Sequence, residues 1–559
     1  MKTPVPCSLV AALLASCSHE SAPVANPSVA TSVSSGIAIE DVTAASGIGF
    51  VQTTGRTPST QLLEVKGSGL ALVDYDNDGD LDVFVPNGAY LDAPSRGPGC
   101  RMFENVGAMK FRDVTSALGV AFTGFGMGVA VGDVDADGFD DIYIAAFGND
   151  VLLRNDGGKR FVDITSASGL GDPRWGTSAA FGDVDSDGDL DLYVVNYVKF
   201  DPAKPYPPER FQGVDVFAGP VGKPCDSDAL YLNDGGGHFT DASTTSGITK
   251  VLPSAGLGVV IGDFDGDARQ DILVGNDSMP SFFFKNSGGA QFVEIAESIG
   301  LARNGDGAAQ ATMGIAIGDV NGDGKPDVFT TNFANDTNTL RVAAKEGFFY
   351  SDRTSQYGVG QVSRPFLGWA TAFADFDLDG DEDLVVFNGH VYPNASRQTM
   401  DSTYAQAPLL FARVGGRFER VTADANNRWL AEEHVDRSVA FGDLDLDGDL
   451  DMVVGGVNQK MRVLANRARG HWLSVELIDE RPGIGNRRGI GAKITLSQGG
   501  ALQTRWIVGG GSYMATSTAI AHFGLAATTG LALEVTWPDG VKQHVADVAI
   551  DKRAVVRRK

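Results

Sequence analysis

Cysteine is scarce in this 559-residue chain: it has four, and only Cys100 and Cys225 lie beyond the first seventeen residues. A disulfide scaffold is thereby excluded. An oxidising compartment would allow one bridge between Cys100 and Cys225, though they stand two repeats apart and would need a long loop to meet. Histidine is also rare. None of His238, His390, His434, His471, His522 and His544 stands at zinc-like spacing from a cysteine or another histidine. There is no Gly-x-Ser-x-Gly elbow and no P-loop, and the glycines at 483–485 and 509–511 are too weak a pattern to imply a nucleotide. No basic stripe with interleaved aromatics occurs, which excludes nucleic acid as a partner. The apolar run from Val5 to Ala15 is too short to cross a membrane as a helix.

That run follows Lys2 and has the shape of a secretory signal. It ends in Leu14-Ala15-Ser16-Cys17, which resembles a bacterial lipobox. On this reading residues 1–17 are a signal, Cys17 is lipidated, and Ser18 directs the product to the outer membrane. The other reading is ordinary secretion with Cys17 discarded or free. Residues 18–36, rich in Ser, Ala, Val and Pro, read as a flexible tether. The expected location is outside the cytoplasm: an outer-membrane lipoprotein, periplasmic or at the cell surface, touching the membrane through a lipid anchor only.

Aspartate is what the chain has in abundance, and in register. Seven loops read Asp-x-Asp/Asn-x-Asp-Gly/Ala-x-x-Asp. Their first, third, fifth and ninth residues are Asp74, Asp76, Asp78 and Asp82; Asp133, Asp135, Asp137 and Asp141; Asp183, Asp185, Asp187 and Asp191; Asp263, Asp265, Asp267 and Asp271; Asp319, Asn321, Asp323 and Asp327; Asp375, Asp377, Asp379 and Asp383; Asp443, Asp445, Asp447 and Asp451. Carboxylates at alternate positions of a tight turn converge on one point, as a hard cation needs, and Gly at the sixth place permits the bend. An EF-hand would carry Glu at the twelfth place; here that place holds residues such as Val85, Ile144 and Thr330. A backbone carbonyl at the seventh place, occupied by Asp80, Phe139, Arg269 or Lys325 among others, is expected to complete the cage. Up to seven Ca²⁺ are anticipated. Ala268 replaces the bending Gly of the fourth loop and Asn321 lowers the charge of the fifth, so these two are expected to bind least well.

The charge balance agrees. Setting the 27 cage aspartates aside from 71 acidic residues leaves 44 against 45 Lys plus Arg. The net charge of −26 is therefore concentrated where ions are expected, and seven Ca²⁺ would bring it to −12.

Each loop lies between strand-like segments, as in Gly128-Val-Ala-Val-Gly-Asp133 before and Asp141-Ile-Tyr-Ile144 after. A second block, apolar-x-Asn followed by a Gly-rich turn and Phe-x-Asp-x-Thr, supplies two more strands, as in Leu153-Arg-Asn155 with Phe161-Val-Asp-Ile-Thr165. Four strands per unit and seven units predict an all-β, seven-bladed propeller over residues 37–468. The array opens in mid-unit with Ile39-Glu-Asp-Val-Thr43 and ends on an incomplete Leu464-Ala-Asn466, so one blade built from both ends should close the ring. Residues 469–559 read as a small β-sandwich-like domain; from Gly470 onward it has 11 Lys/Arg against 7 Asp/Glu, and this basic bias suits docking on the acidic ring.

The loops and their flanks resemble FG-GAP/VCBS repeats. In the tail, Asn486-Arg-Arg-Gly-Ile-Gly-Ala492, Gly509-Gly-Gly-Ser-Tyr513, His522-Phe-Gly-Leu525 and Val535-Thr-Trp-Pro-Asp-Gly540 resemble the ASPIC/UnbV domain. Their order is that of the cartilage acidic protein family and its bacterial relatives. The resemblance implies a calcium-dependent, exported protein that binds other molecules, a protein or a glycan. An enzyme or accessory factor tailoring a secondary metabolite is the alternative. The thirteenth position past each cage start gives Asn87, Asn196, Asn276, Asn332 and Asn388, with Ala146 and Gly456 as exceptions. The long connections 197–228 and 389–408 leave from the same end, which marks that face, with His390, as the candidate ligand face. Asparagine ending strands in turns is the plainer reading.

Overall fold

The computed structural model describes residues 36–559 apart from 92, 94–96, 121 and 547. The expected signal with Cys17, and the tether up to residue 35, lie outside the described residues. The fold is all-β. Seven sheets of four propeller strands each carry one acidic loop, and blades are numbered here by their loops. In blade 2, Phe125–Gly132, Asp141–Phe147, Val151–Asn155 and Phe161–Asp163 pair antiparallel in that order. The acidic loop is the turn between the first and second strands of a blade.

First strands line the ring's interior. Each packs on the first strands of both neighbouring blades, and the seventh packs on the first. Their approach explains the small residues read from the sequence: a Cβ at Gly128 would stand 2.4 Å from the Thr177 carbonyl, and one at Gly314 would stand 2.1 Å from that of Trp369. The ring closes on blade 7, where Ile39, Glu40 and Asp41 pair with Asn466, Ala465 and Leu464. The two incomplete ends of the array thus complete one sheet.

The recurring asparagine of the apolar-x-Asn block acts as a staple between blades. Asn155 Nδ2 donates to the Tyr75 carbonyl of loop 1 at 2.8 Å, and Asn233 Nδ2 to that of Val134 in loop 2 at 2.8 Å. Asn286 reaches Val184 of loop 3, Asn466 reaches Phe376 of loop 6, and Asn105 reaches Leu444 of loop 7, which joins blade 1 to blade 7.

Beyond the ring, His471–Asp479, Ile520–Leu525 and Lys552–Arg558 form one sheet. Lys493–Gln498, Ala501–Trp506, Leu531–Thr536 and Lys542–Val545 form a second. Leu473, Val475, Ile494, Leu496, Phe523, Val535 and Trp537 fill one buried cluster between them, as alternation along the strands requires.

Two expectations are corrected. Cys100 and Cys225 are both free and buried, Cys100 in the cluster between blades 1 and 2 and Cys225 in the axial core, so they form no bridge. The candidate ligand face is not an open ring of asparagines. Asn87, Asn196, Asn276, Asn332 and Asn388 are at most 1 % exposed. Four of them tie down the connections that follow: Asn196 Nδ2 donates to Ser227 O, Asn276 Nδ2 to Pro280 O, Asn332 Nδ2 to Thr337 O and Asn388 Nδ2 to Ala407 O, while Asn87 Oδ1 accepts from Thr53 N. The turn-forming reading fits them. No described helix is long and apolar enough to cross a membrane.

Candidate metal centres

All seven acidic loops share one backbone. The fourth and sixth residues both take positive φ: Asn77 at 59° and Gly79 at 98° in loop 1, Ala136 at 58° and Gly138 at 97° in loop 2. The turn folds the chain's own amides onto the first and ninth aspartates. Asp78 N and Gly79 N donate to Asp74 at 3.0 Å, while Tyr75 N and Asn105 N donate to Asp82 at 3.3 and 2.7 Å. The same set recurs in loop 2, where Asp137 N and Gly138 N reach Asp133, and Val134 N and Asn155 N reach Asp141.

What the amides leave free points inward. Carboxylate oxygens of Asp74, Asp76 and Asp78 lie within 4.8 Å of one another, as do those of Asp133, Asp135 and Asp141; Asp183, Asp185 and Asp191; Asp263, Asp265 and Asp267; and Asp375, Asp377 and Asp383. Oδ1 of Asp76, Asp135, Asp183, Asp377, Asp443 and Asp445 is buried without a hydrogen-bond partner. Burial pushes Asp82, Asp141, Asp191 and Asp327 up to about 8 and Asp133, Asp183 and Asp443 up to about 7. Such groups stay ionised at neutral pH only when a positive charge offsets their desolvation. All-oxygen clusters of this kind suit a hard divalent cation, and loops 1, 2, 3, 6 and 7, each with a buried unpartnered cage oxygen and no basic side chain shared among several of its carboxylates, fit one most fully; in loop 4 Asp271 Oδ2 is likewise unpartnered, but Lys285 lies among the carboxylates.

The C-terminal sandwich reaches every loop. Arg553 donates to the Gly79 carbonyl of loop 1, and Arg488 lies 3.6 Å from Asp140 of loop 2. Asn486 N donates to Gly188 of loop 3 at 2.9 Å, and Gln270 of loop 4 donates to Ile490 O at 3.0 Å. Lys493 meets the Gly324 carbonyl of loop 5, Arg505 lies 3.3 Å from Glu382 of loop 6, and His522 Nε2 meets the Gly448 carbonyl of loop 7 at 2.8 Å. The basic tail docks on the acidic face, as its charge suggested.

Sequence reasoning missed the plug. Between Trp506 and Ile520 the chain leaves the sandwich and enters the ring: Gly509 and Gly510 pair with Ile261 and Val260, Ser512 exchanges hydrogen bonds with Ile315, and Ala515 and Thr516 pair with Leu70 and Ala71. A Cβ at Gly509 would stand 1.9 Å from Phe181 O, so the glycine run is dictated by close backbone approach. Tyr513 at the tip is wholly buried, 4.7 Å ring to ring from Trp369, with its hydroxyl donating to Lys66 O at 2.8 Å. Below it the buried Lys66 and Asp277 pair at 2.8 Å, and Arg437 lies 4.0 Å over Trp369, donating to the carbonyls of Val65, Gly389 and His390. The opposite mouth is closed by the two long connections, which meet through Phe211, Phe217 and Tyr392 and through Asn394 Nδ2 on Asp215 O.

His390 sits in this packing, fully buried; its Nδ1 accepts from Tyr392 N at 3.0 Å and its Nε2 has no partner. Burial, helped by Arg437, lowers it to about 3, so the ring is neutral and shielded from solvent. The unfolded chain takes up a proton near pH 6.5 that this site refuses, so stability should fall as pH drops from about 6.5 toward 3. His390→Gln is expected to flatten that limb, by about 3 kcal/mol at pH 4, in urea melts from pH 7 to 4.

Two family models match the two parts of the chain. A model described as FG-GAP-like repeat matches residues 74–144, 133–194, 213–274, 263–330 and 319–386, most stretches starting on the first aspartate of a cage. The chain belongs to the FG-GAP-like repeat family. A second model, ASPIC and UnbV, matches residues 483–559, within the sandwich docked on the FG-GAP ring. Cartilage acidic protein 1 of Xenopus tropicalis is 29% identical over 329 residues, 56% of this chain and 46% of that protein. That of Mus musculus is 29% identical over 324 residues with the same coverage. The chain spans about half the length of these curated relatives. Among solved structures, an Agrocybe aegerita lectin described as recognising non-reducing terminal N-acetylglucosamine overlaps at TM-score 0.34 and 15% identity, covering 70% of this chain and 85% of its own. YCF48 bound to D1 peptide overlaps at 0.41 and 10%, covering 80% and 100%.

Proposed function

We propose that this chain is an exported FG-GAP ring, held together by calcium, that binds a protein or glycan through the face away from its acidic loops. The observation that carries the metal reading is the set of buried carboxylate oxygens that converge in the loops without a partner. Extracellular calcium is abundant enough for sites of about 10⁻⁴ to 10⁻³ M affinity, which agrees with export by an N-terminal signal and anchoring through Cys17. Filled loops would present the C-terminal sandwich with a less negative surface and their own carbonyls.

The choice of face follows from occupancy. The chain's own sandwich contacts all seven loops, so the acidic face already has a partner within the chain. The far face carries the longest connections, and solvent-facing Arg210 and Val221 rise from 197–228 near the half-buried Tyr206, which packs on Phe200. Rigid scaffolds commonly bind through such loops. The test probes glycan arrays and outer-membrane protein fractions with the chain from residue 36 onward and with a variant whose 203–223 segment is replaced by a short Gly-Ser link. Loss of captured partner in a variant that melts normally supports the reading; undiminished capture moves the site elsewhere.

A further inference from the structure

Loop 4 differs from its six sisters in what lies among its carboxylates. Lys285, on the strand Phe282–Asn286 of the same blade, places its ammonium 2.5 Å from Asp265, 2.5 Å from Asp267 and 3.7 Å from Asp271. Arg269, the loop's seventh residue, also pairs with Asp267 and donates to Asn286 O. In other loops a basic side chain touches a single cage carboxylate: Arg154 lies 4.0 Å from Asp135, and Arg467 lies 3.2 Å from Asp445. The position of Lys285, one residue before the stapling asparagine, is Glu104, Arg154, Leu232, Val342, Ala412 and Ala465 in the other blades.

We propose that loop 4 takes no calcium because the Lys285 ammonium, seconded by the Arg269 guanidinium, is its resident cation. The inference rests on the calcium reading of the sister loops. Charge supports it: two monovalent side chains leave four carboxylates with the same net charge of minus two that one divalent ion would leave. Geometry supports it too, since a cation of the chain's own occupies the space where the three carboxylates converge, and a second cation there would meet it at close range. The loop departs from its sisters in other ways as well. Ala268 takes the sixth place at a φ of 63°, where six loops have Gly, and blade 5 carries Ala343 where a staple to loop 4 would need a side-chain donor. A loop fixed by its own side chains keeps its shape whether or not calcium is present.

The test counts calcium per chain by elemental analysis after equilibration in millimolar calcium and gel filtration, for the wild type, Lys285→Leu and Asp267→Asn. Leucine is the residue blade 3 carries at that position as Leu232. Lys285→Leu is expected to bind one calcium more than the wild type. Asp267→Asn is expected to leave the count unchanged, whereas Asp187→Asn in loop 3 removes one. An equal count in wild type and Lys285→Leu, or a loss of one in Asp267→Asn, overturns the proposal. No calcium in any of the four proteins sinks the broader metal reading instead. Should Lys285→Leu fail to fold, the Asp267→Asn and Asp187→Asn pair still decides.

Discussion

Stripping calcium from the purified chain is expected to lower its melting temperature by roughly 5–10 °C, with magnesium restoring little of the loss. At calcium about tenfold above its dissociation constant, each filled loop adds about 1.4 kcal/mol, so the five best-fitting loops together add about 7 kcal/mol. That is comparable with the whole stability of many folded proteins, about 5–15 kcal/mol. The stripped ring should also let its C-terminal sandwich go, because the contacts of Arg488 and Arg553 are made to the turns the ions would shape. Differential scanning calorimetry with and without chelator, paired with limited proteolysis between the ring and residue 471, reads both effects. A melt that ignores the chelator would remove calcium from any structural role.

The second large effect concerns the plug. Tyr513→Ala empties a wholly buried site against Trp369 and is expected to cost about 3–5 kcal/mol, whereas Tyr513→Phe, which loses only the hydroxyl's bond to Lys66 O, should cost about 1 kcal/mol. Urea denaturation gives both numbers. Because Tyr513 is the deepest point of the sandwich's insertion, the alanine variant should also expose residues 471–559 to protease while the ring stays resistant. Equal midpoints for the wild type and Tyr513→Ala would show that the plug contributes nothing to cohesion.

Legibility from sequence followed the range of the interaction. The cages could be read because all four side chains of each lie within nine residues, and a tight turn gathers like charges at four fixed places to little purpose unless a cation joins them. Ring closure was legible as well, since Ile39–Asp41 and Leu464–Asn466 each lacked what the other supplied. The plug was not, because Gly509 to Thr516 has no periodicity and its partners, Val260, Ile315 and Leu70, lie about two hundred residues away or more. The asparagines misled for a related reason. A strand-ending asparagine has the same sequence signature whether solvent or a long connection covers it, and Ser227, Pro280 and Ala407 take up the amides that a ligand was expected to take. Lys285 was hidden in a position that varies from Glu104 to Ala465, where only the fold brings the ammonium among the aspartates.

The latch on blade 7 joins residues near 40 to residues near 465, so during synthesis the first strand has nothing to pair with until the last blade has been made. Its length suits that wait. A stretch of three residues is a poor template for a stray neighbour, where a longer one would invite edge-to-edge association among nascent chains. The circle can therefore close only late, and a chain halted before Leu464 would be left as an open arc with its first strand unmatched.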